Sequence, residues 1–148
     1  MKIYIGSDHA GFALKSFLVP KLQEKGYEVT DTGPEKFEEG DDFPITLLPL
    51  INAIKEGDGT EKGIVIGGSG QGEAMICNRH KGLRAVVYYG SKPEILRLSH
   101  EHNEANILSL GARFLTEQEA LDAVIMWLTD SIPVDHKYVA RNKELDIV

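Results

Sequence analysis

Short apolar runs alternate along the chain with longer amphipathic segments, and several of these runs end in glycine-containing loops. This alternation is typical of repeated β-α units rather than of β-hairpins. The runs Ile-Val-Ile at 64–66 and Ala-Val-Val at 85–87 lack polar alternation, so we expect parallel strands that helices cover on both faces. The pattern predicts five strands, at 2–7, 27–31, 63–67, 84–89 and 107–110.

Helical periodicity fills the segments between and after these strands. Gly26 stops the first helix, and Thr116 with Glu119 three residues later matches the capping-box pattern at the start of the last one. Pro49 interrupts the second helix, which we therefore expect to begin near Leu47 or to kink there. The predicted helices lie at 12–25, 45–56, 73–80, 92–104 and 116–130.

A β-α series of this length predicts one domain over residues 1–148. We expect an α/β fold, a three-layer α/β/α sandwich around a five-stranded parallel sheet in the flavodoxin-like or Rossmann-like order 2-1-3-4-5. The polar tail at 132–148 is expected to form a short helix that contacts a partner chain, or a mobile end. Because ligands bind at the carboxyl ends of such strands, the loops of interest are 8–11, 67–73, 89–91 and 111–113.

Composition narrows the class of protein. The 148 residues include 16 Lys and Arg against 23 Asp and Glu, a net charge of −7, without the basic clusters that nucleic acids or anionic membranes require. We therefore expect neither partner, and no apolar stretch approaches the roughly 20 residues that span a bilayer. The one cysteine, Cys77, predicts no disulfide framework and favours a reducing cytoplasm.

The most informative loop is rich in glycine and joins a predicted buried strand to a helix. Its last residue, Glu73, stands where the dinucleotide-binding pattern requires glycine and the phosphate-binding P-loop requires lysine, so neither pattern fits. Backbone N–H groups beside a carboxylate suit proton abstraction next to a carbonyl, with the amides holding the oxyanion. The alternative is a tight turn for helix packing, with Glu73 merely favourable in the first helical turn. The loop runs Gly67, Gly68, Ser69, Gly70, Gln71, Gly72, Glu73.

Polar residues also follow the first and last predicted strands. Asp8 and His9 suit hydrogen bonding to a polyol or phosphate, while the alternative for Asp8 is to cap the first helix. Arg113 is a candidate clamp for a substrate phosphate, or else a surface ion-pair residue.

Two histidines lie near the end of the fourth predicted helix. His100 and His102 are two residues apart and point to different sides of a helix, so we expect no metal site there. His102 and Asn103 can face the cleft, and histidine is a natural proton carrier near neutral pH. His100 is more simply a structural residue.

Four segments taken together resemble ribose-5-phosphate isomerase type B, of the family that also contains galactose-6-phosphate and allose-6-phosphate isomerases. The resemblance extends from residue 1 to about residue 127, with the motifs in the expected order. It implies an aldose–ketose isomerase without metal or cofactor, acting as a homodimer or a dimer of dimers whose sites are shared between chains. The segments are SDHAG at 7–11, GGSGQGE at 67–73, HEHNEAN at 100–106 and LGAR at 110–113.

The resemblance also implies which residue is the base. Many members carry a cysteine base at the position of Gly67, which glycine cannot replace. A subgroup instead has a glutamate base where Glu73 stands, and this chain resembles that subgroup. Glu73 would then shuttle a proton between C2 and C1 of the sugar through a cis-enediolate.

The remaining roles follow from the same resemblance. Asp8 and His102 would open the sugar ring, and Ser69 would donate a hydrogen bond near O1 and O2. Phe43 replaces the tyrosine of the family's Asp-Tyr-Pro element and lacks its hydroxyl. The other implied substrate contacts are Gly68, Gly70, Gln71 and Gly72 in the loop, Asn103 toward hydroxyls, and His9 and Arg113 toward phosphate.

The tail departs from the family pattern. Family members show an arginine-rich stretch around a histidine, which His136 matches. The positions where arginines are expected hold Asp135, Tyr138 and Val139. The substitutes for phosphate binding are Lys137 and Arg141.

These residues predict an isomerase of ribose 5-phosphate and ribulose 5-phosphate in the pentose phosphate pathway. The altered tail leaves open another phosphosugar, such as allose 6-phosphate or galactose 6-phosphate, or a free sugar. A different class of protein, a non-catalytic module that binds sugar phosphates or nucleotides, would bind ligand without turnover.

Overall fold

A parallel five-stranded sheet forms the centre of the protein, as the computed structural model shows for residues 1–129 and 135–148. Each of the four pairs of neighbouring strands is parallel. The strands are β1 (Lys2–Ser7), β2 (Glu28–Asp31), β3 (Lys62–Gly67), β4 (Ala85–Tyr88) and β5 (Ile107–Gly111).

The strand order is β2-β1-β3-β5-β4, so the predicted order 2-1-3-4-5 is wrong in its last two places. β5 lies between β3 and β4, and all five of its residues are buried, whereas three of the four residues of β4 are only half-buried. The apolar run at 85–87 therefore belongs to an edge strand, because an edge strand has a neighbour on one side only. The run at 64–66 is fully buried, as predicted.

Seven helices among the described residues surround the sheet. The second predicted helix is two helices that meet at Leu47, because Pro49 is tolerated only in the first turn of the second of them. The predicted end of the last helix at Asp130 and the start of the tail, at 132–134, lie outside the described residues. The helices are α1 (Phe12–Glu24), α2 (Phe43–Thr46), α3 (Leu48–Lys55), α4 (Gln71–Asn78), α5 (Glu94–Asn103), α6 (Glu117–Thr129) and α7 (His136–Glu144).

Apolar side chains on the two faces of the sheet form two cores. Ile64 and Ile66 of β3 face α1, α5 and α6, while Val65 between them faces α3 and α4. Successive side chains of a strand point to opposite faces, so this division is the three-layer sandwich that the sequence predicts. The capping box is also present, since Thr116 N–H donates to Glu119 Oε2 at 2.8 Å and Glu119 N–H donates to Thr116 Oγ1 at 3.2 Å. None of the helices among the described residues is long and apolar enough to cross a membrane.

Because the strands are parallel, their carboxyl ends lie together on one side of the sheet and their amino ends on the opposite side. We call these two sides the carboxyl edge and the amino edge. The carboxyl edge carries the loops that follow β1, β3 and β5, and the amino edge carries the ends of the helices that return to the next strand. Helix α5 leads from β4 back to β5, so its last residues lie at the amino edge. The contact of Arg84 Nε with the carbonyl of Asn103, at 2.9 Å, joins the start of β4 to the end of α5 there.

Candidate active site

Glu73 is the central side chain of the carboxyl edge. It lies in the first turn of α4, and it is only 4% exposed. Its carboxylate fills the space beside the Cα atom of Gly67, because a Cβ atom built on that glycine would overlap the carboxyl group. The glutamate therefore occupies the position in which a side chain of residue 67 would lie.

Electrostatics favour the neutral form of this carboxyl group. Burial raises the pKa of the Glu73 carboxyl above its usual range, the hydrogen bond from its own backbone N–H lowers it, and the Asp8 carboxylate raises it. A carboxyl group with a raised pKa holds and releases a proton nearer to neutral pH than an exposed one does. Such a group is suited to general acid–base catalysis.

The loop before Glu73 is hydrogen-bonded to the neighbouring strand β5. Gly70 is the N-cap of α4 and has a positive φ of 77°, and its carbonyl accepts a hydrogen bond of 2.6 Å from the buried hydroxyl of Ser109. Ser69 is half-buried, and its Oγ accepts from the N–H of Gln71 at 3.3 Å. The first N–H groups of a helix have no carbonyl partner within it, so this turn presents donors at the site.

Two further side chains lie against the same loop. A Cβ atom on Gly72 would be 2.8 Å from Cζ of Phe43, and one on Gly68 would be 3.0 Å from Nη1 of Arg113. The N–H of Arg113 also donates to the carbonyl of Gly68, at 3.0 Å. The structure thus brings the aromatic ring and the guanidinium group to the loop that carries Glu73.

Asp8 and His9 lie at the same edge, after β1. Oδ1 of Asp8 accepts a hydrogen bond of 2.9 Å from the N–H of Gly11, which is the turn contact considered as its structural role. The negative charge of Asp8 also raises the pKa of the Glu73 carboxyl group. Nδ1 of His9 contacts Oδ1 of Asp41 at 2.8 Å, an interaction that the sequence did not predict.

His102 and Asn103 lie elsewhere, at the amino edge. They line a pocket of about 330 Å³ together with residues of α7. The expectation that they face the same cleft as Glu73 is therefore wrong for one chain, because α5 carries its end away from the carboxyl edge. The other lining residues are Tyr138, Arg141, Asn142 and Leu145.

The described part of the tail, residues 135–148, contains α7, which packs on the end of α5. The ring of Tyr138 lies on the ring of His102, with centroids 4.2 Å apart, and Arg141 and Lys137 lie 5.8 and 4.7 Å from the Tyr138 centroid. Lys137 also approaches Asp135 at 3.6 Å. His136 is exposed in the first turn. Of the substitutes for the tail arginines, Arg141 is the one that lines the pocket of His102.

His100 and Cys77 have structural roles. Nε2 of His100 lies 2.7 Å from the carbonyl of Trp127, and the two rings stack at 4.9 Å. Cys77 is fully buried, and burial with the nearby Glu73 carboxylate raises the pKa of its thiol to about 12, so it is not a nucleophile.

Sequence reasoning missed Asp41 and Tyr138. Asp41 belongs to an acidic loop whose position over His9 depends on the tertiary fold. The sequence pattern indicates Tyr138 only as a replacement for an arginine, although an aromatic residue in a tail helix can stack on a partner ring.

Comparisons with known proteins identify the family of the chain. A family model described as Ribose/Galactose Isomerase matches residues 3–145. The chain is 35% identical to ribose-5-phosphate isomerase B of Mycolicibacterium paratuberculosis over 87% of this chain and 79% of that protein. It is 38% identical to ribose-5-phosphate isomerase B of Escherichia coli over 86% and 83%, respectively. The crystal structure of ribose-5-phosphate isomerase B from Mycoplasma genitalium with bound ribulose-5-phosphate is similar, with a TM-score of 0.91 and 29% identity over 99% of this chain and 94% of that chain. The chain belongs to the ribose/galactose isomerase family.

Proposed function

We propose that the protein is an aldose–ketose isomerase that interconverts D-ribose 5-phosphate and D-ribulose 5-phosphate. The observation that carries this proposal is the buried Glu73 carboxylate, placed beside Gly67 and at the start of α4. The substrate is supported by the relatives named ribose-5-phosphate isomerase B and by the similar structure that holds ribulose-5-phosphate.

Glu73 is the base in this proposal. With the sugar ring open, its carboxylate removes the proton from C2, and the electrons of that bond make the C1 carbonyl oxygen an enediolate oxygen. The N–H groups of the loop stabilise this negative charge. A proton then passes from O2 to O1 beside the Ser69 hydroxyl, and protonated Glu73 returns its proton to C1, which yields the ketose.

The other residues bind the substrate and prepare it. Asp8 and His102 carry protons during ring opening, and Asn103 binds hydroxyl groups. Arg113 and His9 bind the phosphate at the carboxyl edge. Phe43 and the glycines of the loop shape the cleft around the sugar carbons.

The proposal requires two chains for each site, because the Glu73 and His102 groups lie at opposite edges of the sheet. We propose a homodimer in which the amino edge of one chain meets the carboxyl edge of the other. A groove between α4 and the edge strand β4 supports this arrangement, since its lining includes Met75, whose side chain is 64% exposed. The tail helix then brings Arg141 to the part of the site that contains Glu73 of the partner subunit.

We also propose a cytoplasmic location, because the single cysteine is buried, which fits a reducing compartment.

The first experiment tests the base. We expect Glu73→Gln to lower kcat for ribose 5-phosphate by roughly 10²- to 10⁴-fold, the usual contribution of a general base. The same variant should lose exchange of the C2 proton with solvent deuterium while still binding the sugar. Full activity in Glu73→Gln contradicts Glu73 as the base, and binding without any turnover in the unmodified protein supports the non-catalytic module instead.

A second experiment tests the shared site. Glu73→Gln and His102→Asn are each expected to be inactive, but chains of both kinds, unfolded together and refolded, form mixed dimers. Each mixed dimer contains one site with both groups intact, so about a quarter of the activity should return. Mixtures that stay inactive after exchange contradict a site made from two chains.

The sequence of the tail favours a second candidate function, which is the same isomerisation of a different phosphosugar. Asp135, Tyr138 and Val139 replace expected arginines, and Lys137 lies against Asp135 and Tyr138 rather than in the pocket of His102. Rates on ribose 5-phosphate, allose 6-phosphate, galactose 6-phosphate and unphosphorylated ribose separate these possibilities. A higher kcat/KM on a hexose phosphate than on ribose 5-phosphate would identify the hexose phosphate as the substrate.

A further inference from the structure

The acidic loop between β2 and α2 holds one carboxylate directly against His9. Oδ1 of Asp41 accepts a hydrogen bond of 2.9 Å from the backbone N–H of His9 and lies 2.8 Å from its ring atom Nδ1. The same loop places the ring of Phe37 edge-on to the imidazole, with centroids 6.4 Å apart. The loop between β2 and α2 therefore contacts both the backbone and the ring of His9.

Burial of the Asp41 carboxylate costs free energy of folding. Its side chain is only 6% exposed, and its Oδ2 atom is buried without a hydrogen-bond partner among residues 1–129 and 135–148. A buried carboxylate oxygen without a donor destabilises the folded state. Within the described part of the chain, this carboxylate makes its hydrogen bonds to His9 alone.

The contact between His9 and Asp41 needs no metal ion to account for it. Ligand atoms of Asp8, His9 and Asp41 lie within 4.8 Å of one another. Nδ1 of His9 and Oδ1 of Asp41, however, are at direct hydrogen-bond distance. A direct hydrogen bond is sufficient to account for this short approach.

We propose that Asp41 is a positioning residue for His9: it holds the Nδ1–H tautomer and directs Nε2 toward the substrate. A carboxylate accepts but does not donate, so the proton between the two atoms belongs to Nδ1. Nε2 is then the ring nitrogen that remains for a ligand, and 29% of the His9 side chain is exposed to receive one. Fixing an imidazole through its other nitrogen is a common way of orienting a functional histidine.

The consequence for the substrate rests on the proposed function. If His9 binds the substrate, Asp41 determines where Nε2 is aimed. With the Nδ1 proton directed at Asp41, Nε2 accepts a hydrogen bond from a sugar hydroxyl, and it donates to a phosphate oxygen only when it carries a proton as well. The interaction is with a part of the substrate that does not react, and it is the same in the ground state and the transition state. Loss of Asp41 should therefore raise KM and leave kcat nearly unchanged.

The tautomer is tested without any assay of activity. In ¹⁵N spectra of the histidine rings, with the His9 signal assigned by its loss in His9→Gln, the unmodified protein should show a protonated Nδ1. In Asp41→Ala the His9 signal should move toward the Nε2–H tautomer, while Asp41→Asn, which keeps an acceptor oxygen, should preserve much of the original signal. Glu39→Gln is the matched control, because it removes one exposed charge from the same loop. An unchanged His9 signal in Asp41→Ala overturns the proposal.

Kinetics on the full-length protein test the consequence. We expect Asp41→Ala to raise KM for ribose 5-phosphate about tenfold with kcat within about twofold, as for loss of one charge-assisted contact. In a His9→Ala background the same substitution should add little, because its effect passes through the imidazole. Effects that multiply across the two substitutions overturn the proposal. Absence of any isomerase rate in the unmodified protein contradicts the proposed function, and the ring spectra then still decide the role of Asp41.

Discussion

At the scale of single residues, the Glu73 carboxyl group and any side chain on residue 67 require the same small volume beside the end of β3. The Glu73 carboxylate fills the space that a side chain on residue 67 would occupy. Glycine at 67 and glutamate at 73 are therefore coupled by sterics, since a larger residue 67 excludes the observed position of the carboxylate.

This coupling makes Gly67→Ala a sensitive test. The added methyl group must displace the carboxylate, so we expect at least a roughly tenfold loss of isomerase activity together with about 1–3 kcal/mol of destabilisation, as for overpacking a core. The paired variant Gly67→Ala with Glu73→Ala removes the overlap and should recover the melting temperature but not the activity. If Gly67→Ala alone retains the native activity and melting temperature, the overlap is not a real constraint.

The raised pKa of Glu73 predicts a dependence of stability on pH. In the unfolded chain this carboxyl has the ordinary glutamate pKa of 4.5, whereas burial in the folded protein raises the pKa and retains the proton to higher pH. The folded state binds more protons between these two values, so the free energy of unfolding falls as pH rises through that window. Above that window the folded protein carries the cost of ionising a buried carboxyl group.

Glu73→Gln removes this cost. We expect its melting temperature to exceed that of the unmodified protein at pH 7, and the difference to shrink as the pH falls to 4.5. Thermal melts over this range measure it, with Glu39→Gln as an exposed control. A difference that does not vary with pH would mean that ionisation of Glu73 does not cause it.

At the scale of elements, the tail helix α7 depends on the end of α5. Asn142 is 4% exposed, and its amide donates to the carbonyl of His102 at 3.0 Å and to Oε2 of Glu104 at 3.3 Å. These bonds, with the stacking of Tyr138 on His102, set the position of α7. The pocket at the amino edge therefore exists only while the two helices are joined.

Asn142→Ala is expected to separate them. Loss of two hydrogen bonds at a buried site should cost about 1–3 kcal/mol locally, and α7 amides should exchange with solvent faster while the sheet amides do not change. Isomerase activity should fall as well, because Arg141 loses its position near His102. Lys143→Ala, on an exposed face of the same helix, is the control. Unchanged exchange in α7 would show that other contacts hold it.

At the scale of the whole molecule, charge is the main question for a phosphosugar enzyme with a net charge of −7. Its candidate phosphate-binding cations lie at both edges, with Arg113 beside the glycine-rich loop and Arg141 in the pocket of His102. A local cluster of cations can attract a phosphate against the net field, provided that assembly brings the two edges together.

Arg141→Ala tests this cluster. We expect KM for ribose 5-phosphate to rise about tenfold, with a smaller effect on unphosphorylated ribose, because a guanidinium group pairs with phosphate oxygens. Arg97→Ala removes an arginine that pairs with Glu94 and Glu101 on α5 and serves as the control. Equal effects of Arg141→Ala on both sugars would remove Arg141 from the phosphate site.

Much of this architecture was predictable because local patterns carry it. The buried run at 64–66, the capping box at Thr116 and the break at Pro49 each depend on neighbours in the sequence. The order of β4 and β5 was not predictable in this way, since both runs are apolar and only the path of the chain places β5 inside the sheet.

The sequence by itself determined the α/β class, the loop that ends in Glu73 and the family to which the chain belongs, because periodicity and short motifs are local properties. Only the tertiary structure decided that the carboxylate fills the space beside Gly67, that Asp41 contacts His9, and that His102 lies at the opposite edge from Glu73. These relations join residues far apart in the chain. They arise from strand order and helix direction, which no local pattern encodes.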